Sequence, residues 1–379
     1  MTGKERMLRA FEGEPIDAVP VAPLYLGIYL RRRSMKLYFD KCWQLTASGP
    51  WKVTYDWWVE FQLAFHRELY SVFREAHDWI AVPGGGRRRD VEGSMIVREG
   101  GRLFWQSPNG SRSEIHKYEQ PFTSGQDREV VLTARDDVRK LCGPPPQVDR
   151  LLEDDYALVP QRFCKEATQL TALAMGTAFW HTYATLGFTG MMRTMVEEPA
   201  LFERLVGALL ENQVAHIPFW KAFGADAMFV EECLSSNDLI SEKQYVRFCF
   251  PYTRELLAEL KRAGFRVVFY ICGDVTGRLR HLAELPCDAL GFEESKKGFE
   301  IDIGGIRKEI GGKVCLFGNA DVKLIESGAD ADICREVERQ VKAAGPRRYV
   351  LSVGSPPTPD TLPAKLDVFT RAGHAVRVE

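Results

Sequence analysis

Two short segments hold most of the residues able to do chemistry. Met228-Phe229-Val230-Glu231-Glu232-Cys233 and Val268-Phe269-Tyr270-Ile271-Cys272-Gly273-Asp274 are apolar runs that end in polar groups. Side chains alternate along a strand, so Glu231 and Cys233 share one face, and Tyr270 and Cys272 share one face. If the two strands are neighbours, two thiols and a carboxylate converge. Zinc accepts such donors and leaves a position open for a substrate. The metal set expected on this pattern is Glu231, Cys233 and Cys272, with Glu232 as the alternative carboxylate. Free cysteines also pack as small hydrophobes, and that reading competes. Trp180, His181 and Tyr183 form an aromatic stretch after an apolar run, suited to an aromatic ligand or to a lid. Asn319 directly follows Leu316-Phe317-Gly318, where its amide could bind a ligand or tie two loops together. The seven histidines show no pair at zinc-motif spacing.

These groups need strands to position them. From Gln147 onward, short apolar runs alternate with helical stretches: Leu170–Met175, Ala227–Cys233, Val267–Cys272, Ala289–Glu293, Val314–Gly318 and Tyr349–Val353. Continuous apolar strands separated by amphipathic helices imply a parallel sheet covered on both faces. With a strand near Val21 and one more expected in the middle third, the count reaches a closed (β/α)8 barrel. Function in such a barrel sits at the strand C-termini. On this count Ala227–Cys233 is the fifth strand and Val267–Cys272 the sixth. No Gly-x-Gly-x-x-Gly follows the first strand and no P-loop occurs, which argues against a dinucleotide or nucleotide fold.

The N-terminal third reads as irregular α+β. A helix runs from about Gly3 to Phe11, Tyr38 to Arg74 is mostly helical, and Arg87 to Trp105 forms a small antiparallel hairpin set. Gly143-Pro144-Pro145-Pro146 marks a linker. Residues 1–146 hold the N-terminal helical segment, first barrel strand and hairpin insertion. Residues 147–379 hold the remaining barrel, and the whole is one structural domain.

The chain has 379 residues with Lys+Arg 50 and Asp+Glu 52, a net charge of −2, so the electrostatic footprint of a nucleic-acid binder is missing. Hydrophobic residues make up 45%, which excludes wholesale disorder. No apolar run is long enough for a membrane span, and the charged opening does not read as a secretory signal. Nine scattered cysteines fit a reducing cytoplasm.

The order of several motifs resembles the uroporphyrinogen decarboxylase-like superfamily, including its corrinoid-dependent methyltransferase branch. They are the opening Lys4 to Val21, Asp238-Leu239-Ile240-Ser241 with Phe250-Pro251-Tyr252, and Tyr270-Ile271-Cys272-Gly273-Asp274. Leu316 to Asp321, and Val353-Gly354-Ser355 with Pro357-Thr358-Pro359-Asp360, complete the series. The resemblance spans nearly the whole chain, least around Arg87–Trp105, and implies a (β/α)8 barrel. True decarboxylases carry an Arg-Gln-Ala-Gly-Arg-Tyr-like segment for the substrate carboxylates. This chain has Leu24-Tyr25-Leu26-Gly27-Ile28-Tyr29-Leu30 instead.

The methyltransferase branch carries His-x-Cys and a later Gly-Cys as zinc ligands. Here the matching positions read Tyr270-x-Cys272 and Gly354-Ser355, so only Cys272 is kept. The branch implies an O-demethylase-type methyltransferase, moving a methyl group from a small methoxylated aromatic donor to Co(I). The corrinoid would arrive on a partner protein, because no Asp-x-His-x-x-Gly motif is present here. Zinc or an acid would assist the leaving oxygen. Tyr270 would protonate or orient that oxygen, Glu232 and Asn319 would assist, and Trp180, His181 and Tyr183 would line the ring pocket. The family also implies a homodimer. Transfer from methylcorrinoid to a thiol or tetrahydrofolate, a decarboxylase, and a non-catalytic binding barrel are the alternatives.

Overall fold

A computed structural model describes residues 1–118, 129–133, 137–296 and 298–376. Eleven strands occur among them: β1 (Trp51–Lys52), β2 (Trp79–Ala81), β3 (Met95–Glu99), β4 (Arg102–Gln106), β5 (Arg112–Ile115), β6 (Leu170–Gly176), β7 (Ala227–Glu232), β8 (Arg266–Ile271), β9 (Ala289–Phe292), β10 (Cys315–Phe317) and β11 (Tyr349–Val350). Seven form a parallel sheet in the order β11-β10-β9-β8-β7-β6-β2. Its two edges meet on the segment around Val21. Val21 bridges Leu351 in parallel. On the other side, the Asp78 amide donates to the Val21 carbonyl at 2.8 Å. Val21 is thus the eighth stave, and the ring is the expected (β/α)8 barrel.

Two details differ from the sequence reading. The missing strand is β2, at Trp79–Ala81, and not in the middle third. At three residues it is too short to carry a hydrophobic period. The segment 1–146 therefore holds two staves. Counted from Val21, the cysteine-bearing strands β7 and β8 are the fourth and fifth, one earlier than expected.

The first helix, Gly3–Glu12, is set by its ends: Thr2 and Glu5 form a capping box, and Gly13 closes it in the left-handed region. The stretch Tyr38–Arg74 divides into the end of helix Arg31–Leu45, strand β1 and helix Tyr55–Tyr70. The hairpin set expected over Arg87–Trp105 begins only at Met95, because Arg88–Val91 is a short helix, and it extends further, with β1-β3-β4-β5 making an antiparallel sheet. A second core, with Tyr55, Trp58, Leu63 and Ile96, packs between it and its helices. Arg88 and Arg89 belong to a solvated ion-pair network with Asp56, Asp155 and Glu153. Among the described residues no helix is long and apolar enough to cross a membrane.

Candidate active site

The barrel interior is built from aromatic rings and one notable gap. Trp79 packs on Phe229 and Phe317, with centroids 5.7 and 5.2 Å apart. Barrels normally fill this space with bulky side chains. On β6 the register sets Ala172, Ala174 and Gly176 beside Ala227, Phe229 and Glu231. Those small residues leave a cavity of about 390 Å³ toward the strand C-termini, with walls that include Tyr25, Ile28, Trp79, Met175, Phe229 and Glu231. Among the described residues, Glu231 is the only charged one lining it.

Tyr25 stands over this cavity, just past the first stave. Its backbone is left-handed, with φ 54°, a conformation uncommon outside glycine. Its ring meets Phe229 and Tyr270 edge-on, at 5.5 and 5.9 Å. Its hydroxyl donates to the Glu231 carboxylate. Burial, and then the charge of Glu231, push the Tyr25 phenol far above its ordinary value, so it remains a neutral O–H donor. The motif search missed Tyr25 because it lies in an apolar run with no motif. The strand-end rule that selected Glu231 would have found it if applied to the Val21 stave.

The two thiols do converge. The Sγ atoms of Cys233 and Cys272 are 2.8 Å apart. Contact with Cys272, then burial, pushes the Cys233 thiol up. The loops that follow are stapled together. The Asn237 amide donates to the Asp274 carbonyl at 2.9 Å. The buried Arg278 donates to Asn237 Oδ1 at 2.7 Å and to the Ile240 carbonyl at 2.6 Å. Gly273, with φ 80°, allows the approach: a Cβ there would lie 2.4 Å from Ser236 Oγ.

The donor types suit zinc, as two sulfurs and the carboxylate of Glu231 come from adjacent strands. Among the described residues, however, no three His, Cys, Asp or Glu side chains are gathered to hold an ion. Two donors are in place, and the third, Glu231, is engaged by Tyr25.

Other expected residues have different surroundings. Tyr270 is buried, and its hydroxyl donates to the Gly354 carbonyl, so its proton is committed to the backbone. Glu232 lies on the opposite face of β7 from Glu231, as alternation requires, and so does not join the sulfurs. Its carboxylate accepts from the Thr177 hydroxyl and, at 2.8 Å, from the Leu234 amide. Burial pushes its pKa up to about 7. Asn319 is buried and donates to the carbonyls of Glu293 and Ile301 at 2.9 and 3.1 Å, tying two loops together. Trp180, His181 and Tyr183 lie on helix Ala178–Leu186 and pack edge-on, but none lines the cavity. The Trp180 ring lies where a side chain on Gly176 would point, and Tyr183 is exposed. Burial lowers the His181 pKa.

Opposite the sulfurs, where the resemblance places a second thiol, Ser355 donates to Glu294 at 2.7 Å and accepts from Lys296 at 3.0 Å. Lys296 also pairs with Glu293, and Glu293 accepts from the Gly273 amide at 2.9 Å. A Cβ on Gly354 would fall 2.2 Å from the Glu294 amide nitrogen, so only glycine fits there.

A parallel eight-stave barrel with its polar groups at the strand ends is the architecture of a barrel enzyme. Residues 133–376 match the family described as uroporphyrinogen decarboxylase (URO-D), and the chain belongs to that family. The match starts after the opening motif and the hairpin sheet. The chain is 27% identical to uroporphyrinogen decarboxylase of Chlorobaculum tepidum over 262 residues, 64% of this chain and 72% of that one. It is 28% identical to the Myxococcus xanthus enzyme over 190 residues, 49% and 52% of the two chains. A methyltransferase from Methanosarcina mazei shares the fold over 98% of both chains, with a TM-score of 0.64 and 17% identity.

Proposed function

We propose that the protein is a methyltransferase that takes the methyl group from a small methoxylated aromatic compound and passes it to the Co(I) corrinoid of a partner protein. The observation that carries this reading is the cavity: aromatic and aliphatic walls, small residues where a barrel is usually filled, and a single Tyr25–Glu231 pair. A flat apolar ring fits such walls. A polycarboxylated porphyrinogen is a poorer match, because among the described residues no Arg or Lys lines the cavity to hold its carboxylates. The fold shared with the Methanosarcina mazei methyltransferase is in keeping with the reading.

Methyl transfer breaks the aryl ether C–O bond and leaves negative charge on the phenolic oxygen. A donor aimed at that oxygen lowers the barrier. The Tyr25 O–H is fixed over the cavity and is not lost to solvent base near neutral pH. It would turn from Glu231 to the developing phenolate. Tyr270 and Phe229 hold the Tyr25 ring from two sides. Zinc, proposed on Glu231, Cys233 and Cys272, would supply Lewis acidity when bound. Ile28, Tyr183, Leu239 and Leu362 are exposed on segments that follow staves, which gives the rim apolar surface for a partner.

The test is anaerobic incubation with a methoxylated benzoate and a Co(I) corrinoid, with chromatography of the aromatic product. Demethylated phenol that depends on the protein is expected. Carbon dioxide released from uroporphyrinogen, with no phenol, would establish decarboxylation instead. Methyl transfer only from methylcorrinoid to a thiol or tetrahydrofolate would reverse the assigned direction.

A further inference from the structure

We propose that Cys233 and Cys272 form a reversible dithiol–disulfide pair, a redox modification site at the rim of the barrel. The two residues follow directly on the paired positions Glu232 and Ile271 of neighbouring parallel strands. The Cys272 amide donates to the Glu232 carbonyl at 3.0 Å, so the strands are still held together at the cysteines. Adjacent strands run about 4.8 Å apart, and a disulfide needs its Cα atoms roughly 4.4–6.8 Å apart, so the backbone already meets the requirement. The sulfurs face each other at 2.8 Å. That is closer than the roughly 3.8 Å two thiolates take on one tetrahedral zinc with bonds of about 2.3 Å. Both residues are partly exposed, and no other two cysteine sulfurs are in contact among the described residues.

The placement is built into the fold. Asn237, Arg278 and the close approach at Gly273 clamp the two loops that carry the sulfurs onward. With a hydroperoxide as oxidant, the Cys272 thiolate attacks the distal peroxide oxygen. The O–O bond breaks, giving a sulfenic acid, and the released alkoxide or hydroxide takes a proton. The Cys233 sulfur then attacks the sulfenic sulfur and loses its proton. The S–S bond forms as the S–O bond breaks, and water leaves. Two thiols lose two electrons and two protons in all, and the peroxide is reduced. Closure withdraws both sulfurs from ion binding, so the oxidised and metal-holding states exclude each other. The inference rests on the placement of the sulfurs and not on the methyl-transfer reading.

The test uses the full-length protein, treated with chelator, reduced, desalted and exposed to a small excess of hydrogen peroxide. Thiols are counted in denaturant, and peptides are mapped by mass spectrometry without reductant. Expected are the loss of two thiols, a single cross-linked peptide pair containing Cys233 and Cys272, and full recovery with dithiothreitol. In Cys233→Ser the cross-link is absent, and a sulfenic-acid probe labels Cys272. An unchanged thiol count, or a cross-link that joins other cysteines, overturns the proposal. So does a Cys233→Ser protein whose Cys272 takes no probe while its far-ultraviolet circular dichroism matches the parent. None of these readouts uses methyl transfer, so their failure is separable from failure of the assigned activity.

Discussion

Replacing Glu232 with glutamine should stabilise the protein by an amount that grows above pH 4.5 and is complete just above neutrality. The carboxylate is fully buried, bonded to the Thr177 hydroxyl and the Leu234 amide, and its pKa rises from 4.5 to about 7 because burial penalises its charge. Between those values the native state binds a proton that the unfolded chain has released. Stability contributed by the protonated form is therefore complete below pH 4.5 and is lost as the pH rises through 7. At 1.36 kcal/mol per pKa unit, the loss amounts to about 3 kcal/mol by pH 8. Glutamine keeps the shape and an acceptor for Leu234 and never ionises. Urea unfolding of both proteins from pH 4.5 to 8.5 should give a stability difference that is flat at the acid end, widens by about 3 kcal/mol and levels off above neutrality. Other titrating groups cancel in the difference. Parallel curves across the range would refute the claim that Glu232 is buried against its charge.

Gly354→Ala forces a methyl group to within 2.2 Å of the Glu294 amide, and thermal unfolding should show a loss of about 2–3 kcal/mol; an unchanged midpoint would mean the loops are not packed as described. Ala174→Trp should fill the cavity and reduce demethylation at least tenfold while circular dichroism stays native, whereas retained turnover would place the substrate elsewhere. Tyr25→Phe removes the hydroxyl bonded to Glu231 and should lower kcat about 10- to 100-fold with little change in KM; a raised KM with kcat unchanged would assign Tyr25 to binding alone. Asn319→Ala leaves the Glu293 and Ile301 carbonyls without their donor and should cost about 2 kcal/mol in urea unfolding, with an unaltered midpoint contradicting the tie.

What the sequence showed depended on how strongly each feature is written into local pattern. Long apolar strands such as Leu170–Gly176 and Arg266–Ile271 stood out because burial on both faces demands continuous hydrophobicity. β2 did not, because three residues carry no period and its place is set by pairing with β6 and Val21. The period of two put Cys233 and Cys272 on compatible faces, and the structure brought them together. The same rule, applied to Glu232, already argued against grouping it with Glu231. Tyr270 and Asn319 were chosen as strand-end neighbours, but the carbonyls they donate to, at Gly354 and at Glu293 and Ile301, belong to other loops. Tyr25 was hidden for the same reason, since its partner Glu231 is more than two hundred residues away.

The account turns on a methyl group leaving an aryl oxygen inside the cavity over which Tyr25 stands. A donor isotopically labelled in its O-methyl group, mixed anaerobically with the protein and a Co(I) corrinoid, tests that directly. The label is predicted to appear on cobalt in step with release of the free phenol, and to be strongly reduced in Ala174→Trp. Label that stays on the donor while uroporphyrinogen loses carbon dioxide would contradict the account.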